Sequence, residues 1–197
     1  MGEGGGGGNV NFFGLRSRIK GVVFVVDVSG SMVENPKNAE SWVRLEAEVE
    51  KAINGLEPRT RFGLVAFSTG ADAYRAELID ARADEKKRAL DWLKKSSPIT
   101  EYLNTKDEKL RDKHRSTRAD LGLEKAFRMK PDTIFFVSDG APTGGVTREE
   151  VEAKVEKAQS EMPRRVVINA VAYLADSGEA FMRDLAKNSN GEYREIR

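Results

Sequence analysis

The chain of 197 residues contains no cysteine, and this absence excludes several kinds of site at once. Without thiols there is no disulfide framework, no thiolate-bound metal and no cysteine nucleophile. Long apolar runs are missing as well: none approaches the 18 residues that a membrane-spanning helix needs, and no apolar stretch at the N-terminus resembles a signal peptide. The sequence therefore predicts neither a transmembrane helix nor a signal peptide.

An excess of charge of one sign is also absent. Lysine and arginine total 33 against 32 aspartates and glutamates, which gives a net charge of +1. A nucleic-acid-binding protein usually has a strongly basic face, so this balance argues against nucleic acid as a partner. The length and a hydrophobic fraction of 39% suit one globular domain with a substantial core.

Composition divides the chain into a leader, a domain and an insertion. The opening "MGEGGGGGNVN" is typical of a flexible linker, so we expect a Gly-rich leader over residues 1–18 and a domain over residues 19–197. A leader of this kind favours a domain that belongs to a longer protein. Within the domain, residues 97–116 are mostly charged and predict a solvated insertion that contains the only histidine, His114. For that side chain we expect exposure to solvent rather than catalysis or metal binding.

Apolar strands alternate with amphipathic helices along the domain. Near-continuous apolar runs at "VVFVVD" and "DTIFFVSDG" predict strands covered on both faces, and Trp42, Leu45, Val49 and Ile53 form one helical stripe. Thr147 with Glu150 predicts a capping box, and a last helix is expected over Ser177–Asn188. This alternation predicts an α/β fold, a doubly wound and mostly parallel sheet with helices on both faces.

Two of the apolar strands end in an aspartate. Asp27 opens "DVSGS", where Ser29 and Ser31 follow at two-residue steps, and Asp139 follows the second strand. Alone, the first group is equally compatible with a capped turn, since Asp and Ser are favoured there. If the two strands are neighbours, however, both carboxylates flank one volume at the carboxyl edge of the sheet, where ligands bind in such folds. Paired carboxylates with hydroxyls favour a hard divalent cation.

"DVSGS" followed far downstream by "FVSDGAPTGG" resembles the von Willebrand factor type A domain, a family that has a metal-ion-dependent adhesion site. The resemblance covers the chain from about Lys20 onward. The Gly-rich opening directly before "FFG" is similar to that of bacterial members of the family. It implies a six-stranded sheet of order 3-2-1-4-5-6 with an antiparallel third strand. It also implies metal ligation, directly or through water, by Asp27, Ser29, Ser31 and Asp139. The family's fifth ligand is a threonine, which matches Thr117 in "RSTRADLGLEKAF", although Arg115-Ser116 replace the usual two glycines.

Other roles stay open for these threonines. Thr117 is also a candidate N-cap of the helix that begins near Asp120, and Thr100 and Thr105 are alternative fifth ligands. Arg115 and Arg118 would bring positive charge towards the metal.

The resemblance implies a protein-binding module rather than an enzyme. A divalent cation, Mg²⁺ or alternatively Mn²⁺ or Ca²⁺, would coordinate an Asp or Glu of a protein or peptide partner. Two alternatives remain: a metal-dependent phosphohydrolase with Asp27 as nucleophile, and a scaffold with an unused metal site. The first is disfavoured because Ser29 stands where a general acid is usual. We expect no membrane contact by the domain itself. Tethering through an upstream segment, or an extracytoplasmic location, is favoured over the cytoplasm.

Overall fold

The computed structural model describes residues 8–34, 36–173 and 178–196. Its strands are Gly8–Phe12 (β1), Leu15–Ile19 (β2), Gly21–Asp27 (β3), Arg61–Phe67 (β4), Ala71–Ala73 (β5), Ile79–Asp80 (β6), Thr133–Ser138 (β7), Val167–Tyr173 (β8) and Tyr193–Ile196 (β9). Its helices are Ser31–Glu34 (α1), Pro36–Asn54 (α2), Ala83–Lys95 (α3), Glu108–Asp112 (α4), Ala119–Arg128 (α5), Arg148–Ser160 (α6) and Glu179–Asn188 (α7), with a π-helical turn at Ile99–Leu103.

The central sheet has the order β5-β4-β3-β7-β8-β9. The pairs β3–β4, β3–β7, β7–β8 and β8–β9 are parallel, whereas β5 is antiparallel to β4. This confirms the predicted doubly wound α/β fold, including the strand order and the antiparallel third strand. The described sheet also contains a short seventh strand, β6, which pairs with the start of β4.

The sheet separates two layers of core. On β3, Val22, Phe24 and Val26 face one cluster with α2 and α3, while Val23 and Val25 face the other with α5, α6 and α7. All seven residues of β3 are buried, which explains why its sequence is apolar without alternation. No helix among the described residues is long and apolar enough to span a bilayer.

A hairpin of β1 and β2 covers part of the first face. Val10, Phe12 and Leu15 are buried, and the Phe12 ring lies 5.4 Å from the rings of both Phe24 and Phe135. The two strands are joined at Phe13 and Gly14, both with positive φ, as a tight hairpin requires. The predicted flexible leader over residues 1–18 is therefore corrected for residues 8–18, and residues 1–7 lie outside the described part.

The predicted helices are present, but their first and last residues differ from the prediction by a few positions. Thr147 and Glu150 form the expected capping box at the start of α6. The last helix begins at Glu179, and Ser177, where we expected it to start, lies outside the described residues. The region 97–116 is folded rather than an irregular solvated loop, since it consists of the π-helical turn, α4 and a segment that packs on the loop after β3.

Candidate metal site

The candidate site lies where β3 and β7 end side by side. The two strands pair in parallel register with Val26 opposite Val137, so the next residues, Asp27 and Ser138, are neighbours at the carboxyl edge. Asp139 follows directly, and the loop after β3 carries Ser29 and then Ser31, the first residue of α1. The two strands that lead into Asp27 and Asp139 are thus neighbours in the sheet, as predicted.

Four predicted ligand residues are connected by hydrogen bonds from side chains and backbone. The Ser29 amide donates to Asp27 Oδ1 at 2.8 Å, the hydroxyls of Ser29 and Ser31 are 3.0 Å apart, and the Ser31 hydroxyl donates to Asp139 Oδ1 at 3.2 Å. Asp27 and Ser29 are buried, Asp139 is half-buried and Ser31 is exposed. The group therefore has a buried floor and a rim that solvent and a partner can reach.

Asp27 is a fully buried carboxyl group at the end of β3. Burial, and after it the negative charge of Asp139, raise the pKa of Asp27 to about 7, although hydrogen bonds from Ser138 and Ser29 oppose the rise. Within residues 8–34, 36–173 and 178–196 no lysine or arginine forms an ion pair with Asp27, and its hydrogen bonds come from Ser29 and Ser138. A bound cation would stabilise both carboxylates in their charged form.

Sequence reasoning missed Ser138. Its hydroxyl donates to Asp27 Oδ2 at 2.6 Å, so both oxygens of Asp27 accept a hydrogen bond and the carboxyl group is fixed in orientation. The signal was available in "FVSDG", where a serine ends the buried strand just before Asp139.

Thr117 lies on a neighbouring loop. Its amide donates to Thr143 Oγ1 at 2.7 Å and its carbonyl accepts from the Thr143 amide at 3.0 Å, which joins it to the loop after Asp139. The N-cap interpretation is wrong, because Arg118 occupies that position before α5 and provides no side-chain cap. Thr105 instead accepts a hydrogen bond from the Asp107 amide. Thr100 is exposed.

The two arginines that flank Thr117 are paired with acidic side chains. Arg118 donates to both carboxylate oxygens of the buried Asp120, at 2.8 and 2.9 Å, and Arg115 contacts Asp112 and Glu108. Their charges are thus balanced locally, which reduces the expected effect of positive charge near a metal.

His114 is buried, so the prediction of a solvated side chain is wrong. Its Nδ1 lies 2.5 Å from the Val28 carbonyl oxygen and its Nε2 lies 3.0 Å from Glu101 Oε2. The imidazole therefore packs against the loop that carries Ser29 and Ser31.

The donor atoms fit a hard divalent cation. Among the described residues there is no cluster of three or more His, Asp or Glu side chains suited to a metal. The candidate set instead combines two carboxylates with hydroxyl oxygens, an all-oxygen set of the kind that Mg²⁺, Mn²⁺ and Ca²⁺ accept. The buried and uncompensated Asp27 carboxyl is the feature of this structure that a cation would balance.

The fold is that of a von Willebrand factor type A domain. The sequence profile of that family matches residues 21–196, so the chain belongs to the von Willebrand factor type A domain family. Domains of this family are generally protein-interaction or adhesion modules. Human inter-alpha-trypsin inhibitor heavy chain H4 is 26% identical over 189 residues, which cover 93% of this chain but only 19% of that protein.

Solved structures share the fold at low sequence identity. A von Willebrand factor type A protein from Catenulispora acidiphila superposes with a TM-score of 0.71 at 16% identity, over 93% of this chain and 40% of its own. The pilus adhesin SpaC from Lactobacillus rhamnosus GG gives 0.65 at 14%, over 89% and 28% of the two chains. Proximal thread matrix protein 1 from the mussel byssus, with a zinc-occupied metal-ion-dependent adhesion site, gives 0.60 at 14%, over 96% and 45%.

Proposed function

We propose that the chain is a metal-dependent protein-binding module. A divalent cation is held at the carboxyl edge of the sheet by Asp27, Ser29, Ser31, Thr117 and Asp139, and it coordinates an Asp or Glu side chain of a protein partner. No hydrolytic step is part of this function.

The observation that carries the proposal is the hydrogen-bonded group Asp27–Ser29–Ser31–Asp139. It gathers oxygen donors from two neighbouring strand ends into one place, with a buried carboxyl that forms no ion pair with any lysine or arginine in the described part of the chain. Two carboxylates held close together repel each other, and a divalent cation between them removes that repulsion. Thr117 is the proposed fifth ligand because its loop is hydrogen-bonded to the loop that follows Asp139.

The exposed rim supports a binding role. Because Ser31 is exposed and Asp139 half-buried, a cation at this place is open to solvent on one side. A partner carboxylate can replace a water there and adds a negative charge next to the cation, so the ion itself is the recognition element. Two proteins that share the fold, a pilus adhesin and a byssal thread matrix protein with a zinc-occupied metal-ion-dependent adhesion site, support the same kind of function.

The identity of the ion follows from ligand chemistry. Carboxylate, hydroxyl and water oxygens are the ligands of Mg²⁺, with Mn²⁺ and Ca²⁺ as alternatives. The mussel relative holds zinc at its site, so zinc belongs in the same comparison.

Calorimetric titration of the metal-free protein with Mg²⁺, Mn²⁺, Ca²⁺ and Zn²⁺ tests the proposal. We expect one cation per chain, and we expect Asp27→Asn to lose it, because the isosteric amide keeps the shape but not the charge. Asp91→Asn, at an exposed site on α3, is the control and should bind like the wild type. Binding that is unchanged in Asp27→Asn would contradict the proposal. Metal-dependent hydrolysis of p-nitrophenyl phosphate that disappears in Asp27→Asn would favour the phosphohydrolase alternative instead.

A further inference from the structure

The loop that carries the proposed ligands is held at its alternate residues. The proposed ligands in this loop are Asp27, Ser29 and Ser31. Val28 and Gly30 lie between them, and their backbone groups contact His114 instead. The Val28 carbonyl lies 2.5 Å from His114 Nδ1, and the Gly30 amide donates to the His114 carbonyl oxygen at 2.7 Å. One residue of the inserted region thus satisfies a backbone acceptor and a backbone donor of the ligand loop.

We propose that His114, oriented by Glu101, is a positioning residue that preorganises the metal site. This inference rests on the proposed metal binding and adds to it a function for the region 97–116. The contacts of His114 with the ligand loop go to the backbone of Val28 and Gly30, and His114 acts through them.

The orientation of the imidazole follows from its two partners. Nδ1 faces a carbonyl oxygen and Nε2 faces a carboxylate oxygen, at 2.5 and 3.0 Å. Both partners are hydrogen-bond acceptors, so a ring N–H on either side has an acceptor within reach. The ring is only 3% exposed, which gives it little freedom to turn away, and Glu101 fixes which nitrogen points at the loop.

The segment from Lys113 to Arg118 is also hydrogen-bonded to the residues that follow β4. The Thr69 amide donates to the Lys113 carbonyl at 3.2 Å, the Ser68 hydroxyl donates to the same carbonyl, and the Arg118 amide donates to the Ser68 carbonyl at 2.8 Å. His114 and Thr117 are therefore held on one short stretch that is anchored at both ends. The stretch fixes the position of Thr117 relative to the loop after β3.

Tyr102 completes the contact from the π-helical turn. A Cβ atom at Gly30 would lie 2.5 Å from the Tyr102 ring, so the ring packs directly on the loop and a side chain at position 30 would displace it. The Tyr102 hydroxyl bonds to Glu34 at 3.3 Å, which links the turn to the end of α1. The ligand loop is enclosed between Tyr102 and His114, both from the inserted region.

Metal titration of a variant series tests this inference. His114→Ala removes the contact to Val28, and we expect Mn²⁺ affinity to fall about 10- to 100-fold, the range for residues that orient metal ligands. His114→Asn restores a donor at the position of Nδ1 and should recover most of that loss, whereas His114→Gln, whose donor lies farther out, should not. Glu101→Gln keeps an acceptor for Nε2 and should bind better than Glu101→Leu. Lys109→Ala, at an exposed site on α4, is the matched control.

Thermal unfolding in chelator separates positioning from folding. We expect His114→Asn and His114→Gln to unfold at similar temperatures yet to differ in Mn²⁺ affinity, and this comparison holds even if His114→Ala fails to fold. Equal affinity of both variants and the wild type would overturn the inference while the proposed function stands. A wild-type protein that binds no cation would overturn both.

Discussion

The Ser138 hydroxyl donates a hydrogen bond to Asp27 Oδ2 at 2.6 Å, joining the last residue of β7 to the last residue of β3. The contact lies at the point where the sheet turns from one half of its winding to the other. It holds the floor of the candidate metal site in one orientation, so that the other oxygen of Asp27 faces the loop of Ser29.

Removal of that hydroxyl should weaken metal binding. In Ser138→Ala the Asp27 carboxyl loses a donor that stabilises its charged form, so we expect Mn²⁺ affinity to fall on the order of 10-fold or more and the metal-free protein to lose about 1–3 kcal/mol of unfolding free energy. Calorimetry and urea unfolding measure the two effects. Ser160→Ala, near the end of α6 and far along the chain, is the control. An affinity equal to that of the wild type would mean that Ser138 does not orient Asp27.

The hairpin should be an integral part of the domain. Phe12→Ala removes a fully buried ring that packs on Phe24 and Phe135, and such substitutions cost about 3–5 kcal/mol. Urea unfolding in chelator measures the loss, with Asn11→Ala, an exposed neighbour on the same strand, as the control. A loss below about 1 kcal/mol would mean that the hairpin detaches easily from the sheet.

Asp120 should make stability depend on pH in the acid range. Burial alone would raise the pKa of Asp120, but hydrogen bonds and charges from Arg118 and Lys154 outweigh burial and lower the pKa to about 2. Because the folded-state pKa lies below 3.8, the ordinary value of an aspartate in the unfolded chain, the contribution to stability is present above pH 3.8 and is lost as pH falls through 2. Its size at neutral pH is on the order of 2 kcal/mol.

Asp120→Asn tests that dependence. We expect the difference in unfolding free energy between the wild type and the variant to be largest at neutral pH and to shrink steadily below pH 3.8. Glu124→Gln, an exposed acid on the same helix, should show little of this change. A difference that stays constant down to pH 2 would contradict the assignment.

Local patterns predicted the sheet and the approach of the two aspartates. Buried strands such as β3 and β7 are apolar along their whole length, and parallel winding brings their carboxyl ends together, so Asp27 and Asp139 could be placed from the sequence. The hairpin could not be placed in this way. Its first strand follows directly after a glycine run, and its alternation of buried and exposed residues is only five residues long, with Val10 and Phe12 buried.

The position of His114 could not be predicted either, for a different reason. The residues around it are charged, and its burial depends on partners far away in sequence, above all the Val28 carbonyl 86 positions earlier. Charge patterning reports which side chains tolerate water, and it carries no information about a single side chain that tertiary contacts enclose. The same limit applies to Thr117, because the sequence near it does not show that α5 starts at Ala119 with Arg118 at the N-cap.

The most direct test is a crystal structure of the wild-type chain grown with Mn²⁺, with anomalous scattering recorded to locate the ion. We predict one Mn²⁺ peak at the ends of β3 and β7, in contact with the oxygens of Ser29 and Ser31 and held by Asp27, Asp139 and Thr117 directly or through water. A map without a peak there, with both aspartates still in their present hydrogen bonds, would contradict the claim that this edge of the sheet is a metal-dependent binding site.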